Sequence, residues 1–249
     1  MRPELFQMVG TDMNLFCKMQ ALFCLVTLFS TGCGNGSRPI GTISCDSIEP
    51  LHTGEATYYT SANGDGACMF GPSSEDPLLV GAMNHDDYAG AAVCGACVDL
   101  TGPNGAVGIR IVDECPECPA GNIDLSPQAF ERIAPLELGR VPISWRYASC
   151  MVSGPIVYHF KDGSNQWWTA VQIRNSRNPV DKLEYRNGSQ WVSVPRTSYN
   201  YFVQTNPGMG PGPYTFRVTD HYGNVLTDSG IIGGNNITVN GSAQFPAGP

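Results

Sequence analysis

The sequence predicts an all-β protein, and three observations carry the prediction. Only 14% of residues are charged while Gly (29) and Pro (19) are abundant, the composition of short strands and many turns rather than of long helices. In the C-terminal half, the apolar runs Ile156–Phe160, Thr169–Arg174, Trp191–Val194 and Tyr214–Val218 are punctuated by Lys161-Asp-Gly163-Ser164, Arg186-Asn-Gly188-Ser189 and His221-Tyr-Gly223-Asn224. Each of these tetrads offers a Gly for positive φ and reads as a hairpin turn. A single stretch, Ser126 to about Ile133, reads as helix, because Ser126 suits the N-cap and Pro127 the first helical position.

That helix closes the stretch around which the chain is organised, Ile109 to Phe130. Val107, Ile109 and Ile111 alternate as in a strand, a Cys/Pro/Gly loop follows, and the chain restarts at Ser126. Asp113 therefore stands at a strand end and Asp124 just before a helix, at a sheet rim where folds present chemistry. Capping alone would also account for acids before a helix.

A formal net charge of −8 argues against nucleic acid or an anionic membrane surface as partner and is compatible with a neutral polysaccharide. Residues 1–33 read as a secretory leader: Lys18 precedes the apolar stretch Ala21–Phe29, which is too short to span a bilayer. Met13 is an alternative start. Cys33 is a lipidation candidate, although Ser30 stands where that pattern prefers Leu, and plain cleavage nearby is the alternative. A lipid on Cys33 would be the only link to a membrane. Residues 34–50 are Gly/Ser-rich and read as a tether.

Export makes disulfides the default for Cys68, Cys94, Cys97, Cys115, Cys118 and Cys150, with Cys45 left over if Cys33 carries lipid. Zinc is the alternative, because Cys94-Gly-Ala-Cys97 and Cys115-Pro-Glu-Cys118 have ribbon-like spacing. No cysteine follows Cys150, which together with the strand series divides residues 51–150, a cysteine-stapled domain, from residues 153–246, a small β-sandwich. Asp65, in Asn63-Gly-Asp65-Gly66, reads as turn chemistry, and Trp191 as a core residue. His52, His85, His159 and His221 show no ligand spacing, and no metal is expected.

Gly54-Glu-Ala-Thr57-Tyr58-Tyr59, Cys94-Gly-Ala-Cys97, Val112-Asp113, Asn122-Ile-Asp124-Leu-Ser-Pro-Gln-Ala-Phe130, Trp145-Arg146, Trp167-Trp168-Thr-Ala-Val-Gln-Ile-Arg-Asn175 and Ser198-Tyr199-Asn-Tyr-Phe202 together resemble a bacterial expansin, in order from about residue 50 to the C-terminus. The resemblance implies a six-stranded double-psi β-barrel, related to the inverting family 45 endoglucanases, followed by an immunoglobulin-like cellulose-binding sandwich. It also implies loosening of cellulose-containing walls without hydrolysis and without a cofactor, by a secreted monomer. Cellulose is the expected partner, with other wall glucans or xyloglucan beside it.

Carried over, Thr57, Asp113 and Asp124 correspond to polar groove residues, and Asp124 to the general acid of the related endoglucanases. Trp167, Trp168 and Tyr199 correspond to an aromatic sugar-stacking platform, with Lys161 as a basic residue beside it. Where the family often has a groove Tyr, this chain has Cys115, so that Tyr58 or Tyr59 is left to supply that aromatic surface. Strict pleating would send one of Trp167 and Trp168 to the core, and a position at a strand's start would expose both. The endoglucanases keep a base near Tyr59, Thr60 and Ser61, and no carboxylate stands there. A weak endoglucanase, a peptidoglycan lytic transglycosylase using Asp124 as acid, and a pure binding module remain alternatives.

Overall fold

The computed structural model describes residues 49–248; the expected leader, Cys33, Cys45 and most of the tether lie outside them. Six strands close into a barrel: β1 (His52–Tyr58), β2 (Val80–Asn84), β3 (Cys97–Gly102), β4 (Gly105–Cys115), β5 (Ile123–Leu125) and β6 (Val141–Ala148). Their order around the barrel is β1-β5-β2-β4-β3-β6. The β1–β5 and β2–β4 pairs are parallel and the remaining pairs antiparallel, which is the double-psi arrangement. Alternate residues fill the interior, with Ala56, Ile109, Ile111, Ile123 and Leu125 packed around Phe130 and Trp145.

Two one-turn helices flank this barrel, α1 (His85–Tyr88) and α2 (Pro127–Phe130). The helix expected to reach Ile133 is thus shorter. Ser126 caps it as expected, its Oγ accepting from Ala129 N at 3.3 Å and donating to Leu78 O at 2.6 Å. After Phe130 the chain turns, so that Ile133 and Ala134 are buried in the barrel core.

The second part stacks two four-stranded sheets from β7 (Val157–Phe160), β8 (Trp168–Arg174), β9 (Val180–Asn187), β10 (Gln190–Val194), β11 (Phe202–Thr205), β12 (Tyr214–Asp220), β13 (Val225–Ile231) and β14 (Thr238–Asn240). One sheet runs β10-β9-β12-β13 and the other β11-β8-β7-β14. Tyr158, Phe160, Phe216 and Phe245 form the core between them. All three predicted turns join paired strands, with Gly163, Gly188 and Gly223 at positive φ. Trp191 departs from its expected core position. It lies on the outer face of β10, with the guanidinium of Arg217 4.6 Å and that of Arg186 5.7 Å from its ring, while Val192 and Val194 take the inward positions.

The cysteines form the disulfides Cys68–Cys94, Cys97–Cys150 and Cys115–Cys118. The two Cys-x-x-Cys pairs therefore do not converge: Cys94 and Cys97 part to different partners, and Cys115–Cys118 closes on itself. No helix among the described residues is long and apolar enough to cross a membrane.

Barrel and sandwich meet through buried polar contacts. Fully buried Gln172 donates from Nε2 to Cys68 O at 2.9 Å, and Asn200 Nδ2 donates to the same carbonyl at 3.2 Å. Tyr88 OH donates to Ser198 O at 3.0 Å and Arg196 NH1 to Ala91 O at 2.7 Å. The Cys68–Cys94 bridge ties together the two barrel segments that carry the Cys68 and Ala91 carbonyls.

Candidate polysaccharide-binding site

Strand register sets four residues in one row across the barrel. Thr57 on β1 pairs with Asp124 on β5, Asp124 with Ala82 on β2, and Ala82 with Asp113 on β4. Residues opposite one another in neighbouring strands project to the same face, so Thr57, Asp124 and Asp113 share one surface. The two acids are two strand spacings apart, roughly 9–10 Å at the backbone. A bulge on β4, where Val112 is skipped between the pairs Gly81–Ile111 and Ala82–Asp113, brings Asp113 into that row.

Thr57 Oγ1 donates to Asp124 Oδ1 at 2.5 Å. Asp124 is half-buried, between fully buried Ile123 and Leu125. Burial pushes its carboxyl above the usual carboxylate range; the Thr57 hydrogen bond opposes this, and the charges of Glu117 and Asp113 add to it. Asp113, in the same row, is held by backbone donors. Its Oδ1 accepts from Ala67 N at 2.6 Å and Glu114 N at 2.8 Å, clamping the loop that follows β1. Gly66 is required there, because a Cβ would stand 2.3 Å from Asp113 Cγ. Asp65 accepts from Gly71 N at 3.1 Å, and its own N–H donates to Asn63 Oδ1 at 2.9 Å, which is the turn chemistry read from the sequence.

The strand pleat separates the two tyrosines. Tyr58 turns inward, its ring 5.1 Å from Phe130. Tyr59 stays near the acids: Asp113 and Asp124 both add to the burial that raises its phenol, and its buried hydroxyl has no partner among the described residues. Cys115, at the position of the family's groove Tyr, is buried in its local disulfide.

A pH-dependent stability follows from Asp124. An acid whose folded pKa is raised contributes stability while protonated and loses it as pH rises through that pKa. Asn mimics the protonated form and can still accept from Thr57. Asp124→Asn is therefore expected to leave Tm unchanged well below the carboxylate range and to raise it at neutral pH. Paired thermal melts across that range check the sign.

On the sandwich, β8 points Val171 and Ile173 into the core and Trp168, Ala170, Gln172 and Arg174 outward. Trp167 lies just before the strand begins and is 70% exposed, while Trp168 starts the strand and is half-exposed. Asn165 organises both, its Oδ1 accepting from Trp167 N at 2.9 Å and from Trp168 N at 3.2 Å. This Asx turn is legible in principle from an Asn two residues before the first Trp. Tyr199 lies 6.0 Å from Tyr201, whose buried ring receives the Lys161 ammonium at 5.3 Å. Tyr201 had no assigned role in the sequence, and it supports both candidate residues from beneath the surface.

Gly208 backs the platform. A Cβ there would lie 2.1 Å from Gln166 O and 2.6 Å from Trp167 Cα, both backbone atoms. Gly208→Ala is expected to cost about 1–3 kcal/mol through forced backbone displacement and to weaken adsorption to cellulose by moving Trp167. Thermal melts and a binding isotherm on the same sample read the two effects.

Among the described residues no group of three or more His, Cys, Asp and Glu side chains is placed to hold a metal. The histidines are engaged separately: His85 Nδ1 lies 2.6 Å from Glu114 Oε1, and His52 stacks on Trp145 with centroids 4.0 Å apart.

The family model described as "Lytic transglycolase" matches residues 52–145, the barrel. Expansin-YoaJ of Bacillus subtilis (strain 168) is 36% identical over 209 residues, covering 80% of this chain and 88% of that protein. The apo crystal structure of a Clavibacter michiganensis expansin, 31% identical, superposes with a TM-score of 0.73 over 79% of this chain and 99% of that one. A mutant of the same Clavibacter expansin in complex with cellohexaose matches to the same extent. Relatives of this identity span both barrel and sandwich, and the chain belongs to the expansin family.

Proposed function

We propose that this chain is exported, adsorbs to cellulose through Trp167, Trp168 and Tyr199, and loosens a wall polysaccharide network by gripping a glucan chain along the row Thr57–Asp124–Asp113. The observation that carries this reading is that groove and aromatic face are joined through one loop. Asp113 holds that loop at Ala67 N, and Gln172, on the same outward row of β8 as Trp168, holds it at Cys68 O. The cellohexaose complex of the Clavibacter relative supports the choice of a β-glucan. Indole faces stack on the apolar faces of glucopyranose rings without charge, which suits a protein of net charge −8. Other wall glucans, xyloglucan included, offer the same faces.

Action without hydrolysis is supported by the groove itself. An inverting glycosidase needs a base about 6.5–9.5 Å from its acid to activate water. Asp113 is the nearest acid in the row, but its Oδ1 already accepts two backbone N–H groups. Tyr59, Thr60 and Ser61 supply no carboxylate. The decisive experiment measures mechanical weakening of a cellulose sheet and reducing sugar released by the same sample. Weakening with no sugar is expected; sugar released in proportion to weakening would make the chain a hydrolase.

A second reading has a specific observation behind it. The barrel matches the transglycosylase family model, and a single acid with a raised pKa suits general-acid cleavage. Release of soluble fragments from peptidoglycan, lost in Asp124→Asn, would favour that reading.

A further inference from the structure

Arg110 is a half-buried cation with no ion pair among the described residues. It points outward from β4, between inward Ile109 and Ile111, and lies under the loop of residues 63–73 where barrel and sandwich meet. Its guanidinium stacks on Phe70 at 4.6 Å. Its Nε is buried without a hydrogen-bond partner, and its side chain makes no hydrogen bond or ion pair among the described residues. Burial pulls its pKa down, and Arg174 adds to that effect. Glu75, exposed at the rim, acts on it only through space. The stack satisfies one face of the guanidinium but none of its in-plane N–H donors.

The guanidinium lines a cavity of about 240 Å³ together with Phe70, Glu75, Val80, Val112 and Arg174. Arg174 spends Nε on Gln172 Oε1 at 2.6 Å and has no ion pair of its own among the described residues. Two arginines and one carboxylate, Glu75, thus share a small cavity, which keeps one positive charge in excess in a chain of net charge −8. Its size is just below the roughly 300 Å³ of the smallest drug-sized pockets, which fits one sugar residue and not an oligosaccharide. Phe70, Val80 and Val112 supply an apolar wall, and the arginines supply a planar fork suited to a carboxylate.

We propose that this cavity binds the carboxylate of an acidic sugar, a hexuronate side group or chain unit, through Arg110 and Arg174. Its location selects a sugar over other carboxylates. The loop that roofs it is clamped by groove residue Asp113 on one side, and Arg174 shares the outward row of β8 with Trp168. The choice of a sugar rests on the wall-binding reading, whereas the anion site rests on Arg110 itself. In a chain this acidic, recognition of charged wall polymer is then confined to one discrete pocket.

The test titrates the full chain with glucuronate, glucose, glucuronate methyl ester and inorganic phosphate, following the Arg110 Nε–H resonance and Tm. Glucuronate is expected to shift the resonance and raise Tm, and glucose and the ester to do neither. Arg174→Gln is expected to weaken glucuronate binding about 10- to 100-fold, the loss of one charged hydrogen-bonding partner. Arg110→Met is expected to abolish binding and to raise the Tm of the unliganded chain, because it removes the buried, unpartnered Nε–H. Equal responses to glucose or the ester, or a response to phosphate without one to glucuronate, overturn the assignment. So does retained binding in Arg110→Met. Adsorption to cellulose, measured in parallel, is expected to survive both variants. Its absence in wild type would defeat the wall-binding reading without touching the anion site.

Discussion

Asp124→Asn is expected to abolish the weakening of a cellulose sheet while leaving adsorption to that sheet unchanged. The substitution keeps an acceptor for Thr57 Oγ1, preserves volume and retains the β1–β5 register, so a loss of action cannot be assigned to unfolding. What it removes is a half-buried carboxyl that titrates above its usual range. Wild-type weakening should follow the titration of this carboxyl, displaced upward by burial, where the Asn form shows none. Creep of a loaded sheet, recorded across pH for both proteins, reads this directly. Equal creep for the two forms would reduce the groove to a passive surface and leave a pure binding module.

The second large effect belongs to the platform. Trp167→Ala/Trp168→Ala removes two indole faces, each stacking ring contributing about 1–2 kcal/mol on the scale of aromatic contacts and apolar burial. Together they amount to about 2–4 kcal/mol, or a loss of roughly 30- to 700-fold in affinity for crystalline cellulose. Stability should barely change, since Trp167 is 70% exposed and neither ring belongs to the sandwich core. A depletion isotherm on microcrystalline cellulose, with a thermal melt as control, measures both. Affinity within a few-fold of wild type would place the adsorbing surface elsewhere.

Legibility in the sequence followed the length and regularity of each element. The strands at Val107–Ile111 and Tyr214–Val218 show clean alternation and are found where expected. β5 is three residues long, wedged between a Pro/Gly loop and Ser126-Pro127, and offers too little period to detect. β9 escaped for another reason. Its buried residues Val180, Leu183 and Tyr185 are spaced three and then two apart, because the register with β12 shifts beside Asp220. Trp191 misled because an aromatic residue in a strand is usually core, and here two arginines cover its faces instead.

The same contrast holds for the site. Asp124, Thr57 and the Trp pair could be placed because they stand in short contiguous signatures. The row that unites Thr57, Asp124 and Asp113 comes from pairing between strands far apart in sequence, which no local pattern encodes. Disulfide partners are hidden in the same way, Cys97 reaching across 53 positions to Cys150. Arg110 alternates with Ile109 and Ile111 as any solvated strand residue would, and only the packing of Phe70 and the sandwich over it removes it from water.

The Cys68 carbonyl, shared by Gln172 and Asn200 and pinned behind by the bridge to Cys94, has a mechanical consequence. A protein resting on a crystal surface by one patch can prise a strand with another only if the span between them does not give. On the proposed reading, load entering at the indole rings would pass along β8 to Gln172, through one loop held at Cys68 O and Ala67 N, and out to Asp113. Thermal motion of the adsorbed particle would then reach a strand held in the groove as through a short lever.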